Sequence, residues 1–209
     1  MTTLKLITAF LLIAFYSCGQ NIAKQSADPK VSALSNKIIP LVKYIDNPDS
    51  CKQALLYLDS ATNIDDKCFL CYHNKLMFLY SLKQFDKAVE AINACIRIIP
   101  TAHDLYLTGG ILYERIGDTI SSQKYFQKSL KILNSVLDTM KVQDMNYEML
   151  AGNKAINLIM LNDNKIGNEL FKSIADRQQD PELKALTLAF MNKSKKELVE
   201  MMTNVQHSR

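Results

Sequence analysis

From residue 32 to the C-terminus, apolar side chains recur three and four positions apart, and no stretch alternates for long between apolar and polar. A recurrence near 3.6 residues gathers apolar side chains into one stripe of an α-helix, whereas a half-buried strand needs a period of two. The pattern predicts helices throughout residues 32–205 and no sheet. Polar breaks divide these helices into pairs. Asn47-Pro48-Asp49-Ser50 offers a turn and a capping side chain, and Ser194-Lys195-Lys196-Glu197 is a capping box. The box opens a last helix with Leu198, Met201, Met202 and Val205 on one stripe. Residues 121–151 contain neither Gly nor Pro. That stretch predicts a helix prolonged by about three turns, roughly 16 Å, around residues 130–145.

The pattern also repeats. Tyr72, Leu76, Leu79, Phe85, Ala88, Ile92 and Cys95 align at an offset of 34 with Tyr106, Gly110, Tyr113, Thr119, Ser122, Phe126 and Ser129. Small residues at 88, 95, 122 and 129 mark close approaches of two helices, and the large ones fill the space between. Shifting back by 34 finds a weaker first unit with Ile38, Val42, Ile45, Ala54, Leu58 and Ala61. A fourth unit, with Ala151, Ala155, Leu158, Phe171 and Ile174, fits after an insertion of about eleven residues. After Asp180-Pro181 a last pair of short helices would close the exposed end of the stack.

Helical hairpins of 34 residues with this order of small and large side chains resemble the tetratricopeptide repeat. The resemblance implies an all-α fold over residues 31–209, a tetratricopeptide-type α-α superhelix of about four helical hairpins plus a C-terminal capping helix pair. In that family the first helix of each hairpin lines a concave groove that binds a partner. Carried onto this chain, the groove positions are Leu70, His73, Met77 and Tyr80 in the second unit. The third unit supplies Leu107, Ile111, Glu114 and Arg115, and the fourth Met149, Gly152, Ile156, Ile159 and Met160. With only Lys43 and Arg115 basic on this face, it does not resemble the family's carboxylate-clamp grooves. An apolar groove is either an open surface for an amphipathic helix or extended segment, or one filled from within by tight curvature or by the C-terminal helices.

The front of the chain reads differently. Lys5 precedes an apolar run of eleven residues, 6–16, too short for a bilayer span, which needs about 20. It ends in Phe15-Tyr16-Ser17-Cys18-Gly19, which resembles the relaxed lipobox of Bacteroidetes lipoproteins. The resemblance implies a signal peptide at 1–17, lipidation of Cys18, a tether at 18–30 and a place in the bacterial cell envelope, on the outer membrane and facing the periplasm. The alternatives are an ordinary cleaved signal with a free cysteine, or a short uncleaved anchor.

Charge narrows the function. Lys and Arg total 25 against 21 Asp and Glu, and both signs are scattered. A nucleic-acid binder would gather its cations on one face or tail, so no nucleic-acid partner is expected. No phosphate loop, HExxH or nucleophile elbow occurs. Asp65-Asp66 reads as a solvated turn or cap, His103 as a helix start and His207 as part of a tail. Cys68-Phe-Leu-Cys71, followed by His73, sits where a helix dipole would lower a thiol pKa. No strand precedes it, and Cys51 and Cys95 are the other mature cysteines, so packing as free thiols is preferred to a disulfide, and either to redox or metal chemistry. The sequence thus predicts no enzyme, no metal, no cofactor and no small-molecule substrate. It predicts a membrane-anchored scaffold or adaptor that binds a protein or peptide segment, or alternatively an inhibitor (immunity) protein against a periplasmic toxin or hydrolase, or a component of outer-membrane assembly.

Overall fold

A computed structural model of the chain describes residues 28–204. Among them every regular element is a helix: α1 (Pro29–Asn36), α2 (Ile39–Val42), α3 (Pro48–Ile64), α4 (Phe69–Ser81), α5 (Phe85–Ile98), α6 (His103–Arg115), α7 (Thr119–Leu137), α8 (Tyr147–Met160), α9 (Asn164–Arg177), α10 (Pro181–Phe190) and α11 (Lys195–Thr203). The sequence-based expectation of Val205 on the last apolar stripe, the reading of His207, the signal peptide and Cys18 lie outside the described residues. Along the described residues the chain divides between Pro100 and Thr101 into two compact units.

The 34-residue register holds to the residue. Helix α6 begins and ends 34 positions after α4, and α7 begins 34 after α5. The turn inside the α4–α5, α6–α7 and α8–α9 hairpins repeats as well. Lys83, Gly117 and Asn162, each second after its helix, take left-handed φ values of 54°, 85° and 72°. The following residue then donates its N–H back across the turn, Gln84 to the Leu79 carbonyl, Asp118 to Tyr113 and Asp163 to Leu158, at 2.8–2.9 Å. This is a Schellman closure, which satisfies carbonyls that the last helical turn leaves unpaired.

In the N-terminal unit, α1 packs on α3, α3 on α4 and α4 on α5. Val31, Ile38, Cys51, Ala54, Leu58, Ala61, Cys71 and Phe78 form its core. The first helix of its first hairpin is broken into α1 and α2, where the sequence suggested one continuous helix. Pro40 supplies no N–H, and a turn at Lys37–Ile38 separates the pieces. Asn47 caps α3 as expected, accepting the backbone N–H groups of Asp49 (2.9 Å) and Ser50 (3.3 Å). Asp65 is a turn residue whose carboxylate accepts the Lys67 N–H at 2.9 Å.

In the C-terminal unit α6 pairs with α7, α7 with α8, α8 with α9 and α9 with α10, and α11 returns to pack on α6. Two close approaches explain the small residues. A Cβ added to Gly110 would lie 2.6 Å from the Phe126 ring, and one added to Gly167 would lie 2.6 Å from the Ile159 side chain and 2.9 Å from the Ala155 carbonyl oxygen. The capping box forms in full: Ser194 N–H donates to the Glu197 carboxylate at 2.8 Å, and Glu197 N–H to the Ser194 hydroxyl at 3.2 Å.

The helix expected to run on around residues 130–145 is prolonged over only part of that stretch, passing the register of Ile98 by little more than one turn. Helix α7 stops at Leu137, and residues 138–146 are turns. The Thr139 hydroxyl donates to the Val136 carbonyl, the Asp144 carboxylate accepts the Lys141 N–H at 2.7 Å, and Asn146 adopts a left-handed φ of 74°. Short polar side chains that bond the local backbone end a helix without Gly or Pro. The distance from Gly117 to Asn162 is 45 residues, eleven beyond the repeat, and the insertion is shared between α7, which runs further than α5, and the longer loop that follows it.

Candidate partner-binding surfaces

The first helices α4, α6 and α8 carry apolar side chains over most of the circumference, and the structure places the groove positions in unequal surroundings. In the C-terminal unit Leu107, Ile111, Ile156 and Met160 are buried in one cluster with Phe126, Ile159 and Phe171. Leu186 and Phe190 of α10 and Leu198 and Val199 of α11 complete that cluster. The last two helices thus lie on the first-helix face here, the filled arrangement that the sequence left open beside the exposed one. Glu114 is half-buried and accepts the Ser122 hydroxyl at 2.7 Å, and Arg115 is half-buried at the last turn of α6. In the N-terminal unit Tyr80 is buried, Leu70 and His73 are largely covered, and Met77 packs against the α1–α4 core. Burial drives the His73 pKa down to about 4, because a charged imidazolium would lose its hydration there.

Part of the first-helix face stays open. Met149 and Gly152 at the start of α8 form one wall of a cavity of about 380 Å³. Phe171 and Ile174 of α9 and Leu183 and Thr187 of α10 face them. The mouth is formed by the inserted turns, through Val142, Gln143, Asp144 and Asn146. One rim is held by Glu148, which pairs with Arg177 (3.3 Å) and accepts from the Gln178 amide. Leu183 and Val142 are exposed at this mouth. The site is therefore an apolar pocket with a polar rim, the usual composition of a surface that receives one or two anchoring side chains.

Sequence reasoning reached Met149 and Gly152 but missed α10 and the loop as walls. It also missed a buried polar seam. Asn157 donates to the Ser129 hydroxyl (3.0 Å) and the Asn153 carbonyl (2.9 Å), and Ser129 donates to the His103 carbonyl (2.8 Å), tying α6, α7 and α8 together. Beside it, burial raises the Asp104 pKa to about 6 and lowers that of His103 to about 4. Two asparagines one turn apart inside an apolar helix were the available signal.

Cys68 and Cys71 form a disulfide, with Cα atoms 5.3 Å apart, which corrects the preference for free thiols at these two positions. Both are buried, and Cys68 serves as the N-cap of α4, its sulfur accepting the Cys71 N–H at 3.2 Å. A spacing of three residues across a helix start brings the two side chains within bonding range. Cys51 and Cys95 are buried and form no disulfide, in keeping with small-residue packing.

Residues 70–101, which span most of α4 and α5, match the family model of the tetratricopeptide repeat. No curated protein matches the chain. The match and the recurring hairpins define the class, an all-α helical-repeat protein, of the kind that serves as a protein-interaction scaffold.

Proposed function

We propose that the chain is a non-catalytic adaptor, tethered to the bacterial envelope through a lipid on Cys18, that holds a segment of a partner protein by apolar anchors in the cavity beside α8. The observation that carries this reading is the open apolar pocket at Met149 and Gly152, on the face that repeats of this kind use for binding. The remaining groove positions, Leu107, Ile111, Ile156 and Met160, then form the floor beneath α10 and α11, and meet a partner only where those helices move aside. Support for the tether is the apolar run before Ser17-Cys18-Gly19. Acyl chains contribute about 0.8 kcal/mol per buried methylene, enough for firm anchoring when two or more are attached.

Two measurements test the two halves. Cells expressing Cys18→Ala should leave radiolabelled palmitate off the protein, and normal labelling of that variant removes the anchor. Affinity isolation from detergent-solubilised membranes should recover a protein with the wild-type chain but not with Met149→Glu, which places a charge in the pocket. Recovery unchanged by Met149→Glu places the binding surface elsewhere.

A further inference from the structure

The N-terminal unit holds a second cleft, which rests on a departure from the repeat. In the α6–α7 hairpin, Tyr125 and Lys128 of the second helix lie over the first. Tyr125 meets the edges of Tyr106 (5.7 Å) and Tyr113 (4.8 Å), and the Lys128 ammonium sits 6.0 Å from the Tyr106 ring centre. The positions 34 residues earlier are Ala91, Ala94, Tyr72 and Leu79. With alanines where Tyr125 and Lys128 would stand, the α4–α5 hairpin is left with a cleft of about 450 Å³ between α3 and α5. Leu55, Leu56, Leu79 and Leu82 supply its apolar surface, and Leu56 is 66% exposed.

Three features of the lining describe an occupant. Lys52, Lys75, Lys87 and Arg97 outnumber Asp59 and Glu90 around it. Asp59 is already engaged by Lys75 at 2.8 Å and Lys52 by Asp49 at 3.2 Å, which leaves Lys87 and Arg97 against Glu90 on the rim. Gln84 Oε1, also in the lining, is buried with no hydrogen-bond donor from the protein. Apart from that single acceptor the walls offer side chains and helices whose backbone groups are already paired. An extended segment would bury its own N–H and C=O groups here without partners, whereas a helix satisfies them internally.

We propose that the α3–α5 cleft is a docking site for an acidic amphipathic helix of a partner protein. Leucine-like anchors on one face enter over Leu56 and Leu79, and carboxylates on the flanks meet Lys87 and Arg97. This site lies on the second helices of its hairpins and is independent of the cavity beside α8.

The test uses the full chain and a fluorescein-labelled helical peptide with leucines at i, i+4 and i+7 flanked by glutamates, together with a twin bearing lysines instead. Fluorescence anisotropy should show the glutamate peptide binding at least about tenfold more tightly than the lysine twin. Lys87→Glu with Arg97→Glu should reverse that preference. Ala91→Tyr, which copies the other hairpin, should abolish binding. Leu56→Asn, at an exposed position that does not threaten folding, should weaken it about tenfold. Equal binding of the two peptides, binding unaffected by Leu56→Asn, or no binding at all overturns the proposal. So does capture of phosphatidylglycerol vesicles by the same cations in place of the peptide, which would make the cleft a lipid contact.

Discussion

Asp104 occupies the second position of α6, where its carboxyl is buried and its pKa is raised to about 6. The unfolded chain ionises it near 4, so between about pH 4 and 6 the native state binds the extra proton. Its contribution to stability therefore falls as pH rises through that window and is lowest above about 6. His73 and His103 act in the opposite direction. Both are held neutral down to about pH 4 when folded, against about 6.5 when unfolded, so their contribution is full above about 6.5 and is lost as pH falls toward 4. Asp104→Asn should raise stability by about 2 kcal/mol at pH 7.5 and by almost nothing at pH 4, and the variant should lose stability more steeply in acid than the wild type. Urea titrations at the two pH values measure this. Lys83 pays for a left-handed turn that Gly117 makes without strain, so Lys83→Gly should stabilise by about 1 kcal/mol. Gly167→Ala should cost about 1–3 kcal/mol, because the new methyl meets the fixed Ala155 carbonyl. Thermal melts read both changes.

Among the elements, the disulfide between Cys68 and Cys71 ties the α3–α4 turn to the first turn of α4. It closes a very short loop, so breaking it should cost only about 2 kcal/mol. Cys68→Ser with Cys71→Ser should lower the denaturation midpoint modestly and leave partner recovery intact. Loss of binding in a variant that melts cooperatively would give the pair a redox role. Helix starts and hairpin turns were largely legible in the sequence, because capping depends on residues close in the chain. Asn47 and the Ser194–Glu197 box both act as read. Helix ends set by side-chain bonding were not, and α7 stops at Leu137 where Thr139 and Asp144 satisfy the backbone locally and Asn146 turns the chain with a left-handed φ. The broken α1–α2 segment was missed for a related reason. Apolar spacing continues across it while Pro40 and the turn at Lys37–Ile38 interrupt the hydrogen bonds.

At the scale of the whole molecule, the repeat was legible since each hairpin must bury the same small and large positions against its neighbour. What covers a groove was not, because the packing of α10 and α11 on Leu107, Ile111, Ile156 and Met160 joins residues far apart in sequence with no motif in common. The same long-range placement turns Leu183 and Thr187 into walls of the cavity beside Met149 and Gly152. Central to the account is that this cavity receives a partner. Its most direct test is a photo-crosslinking amino acid placed at Leu183 on the exposed rim, in the cell that makes the protein, with Ile120, 70% exposed on α7, as the control position. A discrete protein adduct is expected from position 183, none from position 120, and loss of the adduct when Met149→Glu is added. The same adduct from both positions, or one that persists with Met149→Glu in a folded chain, would contradict it.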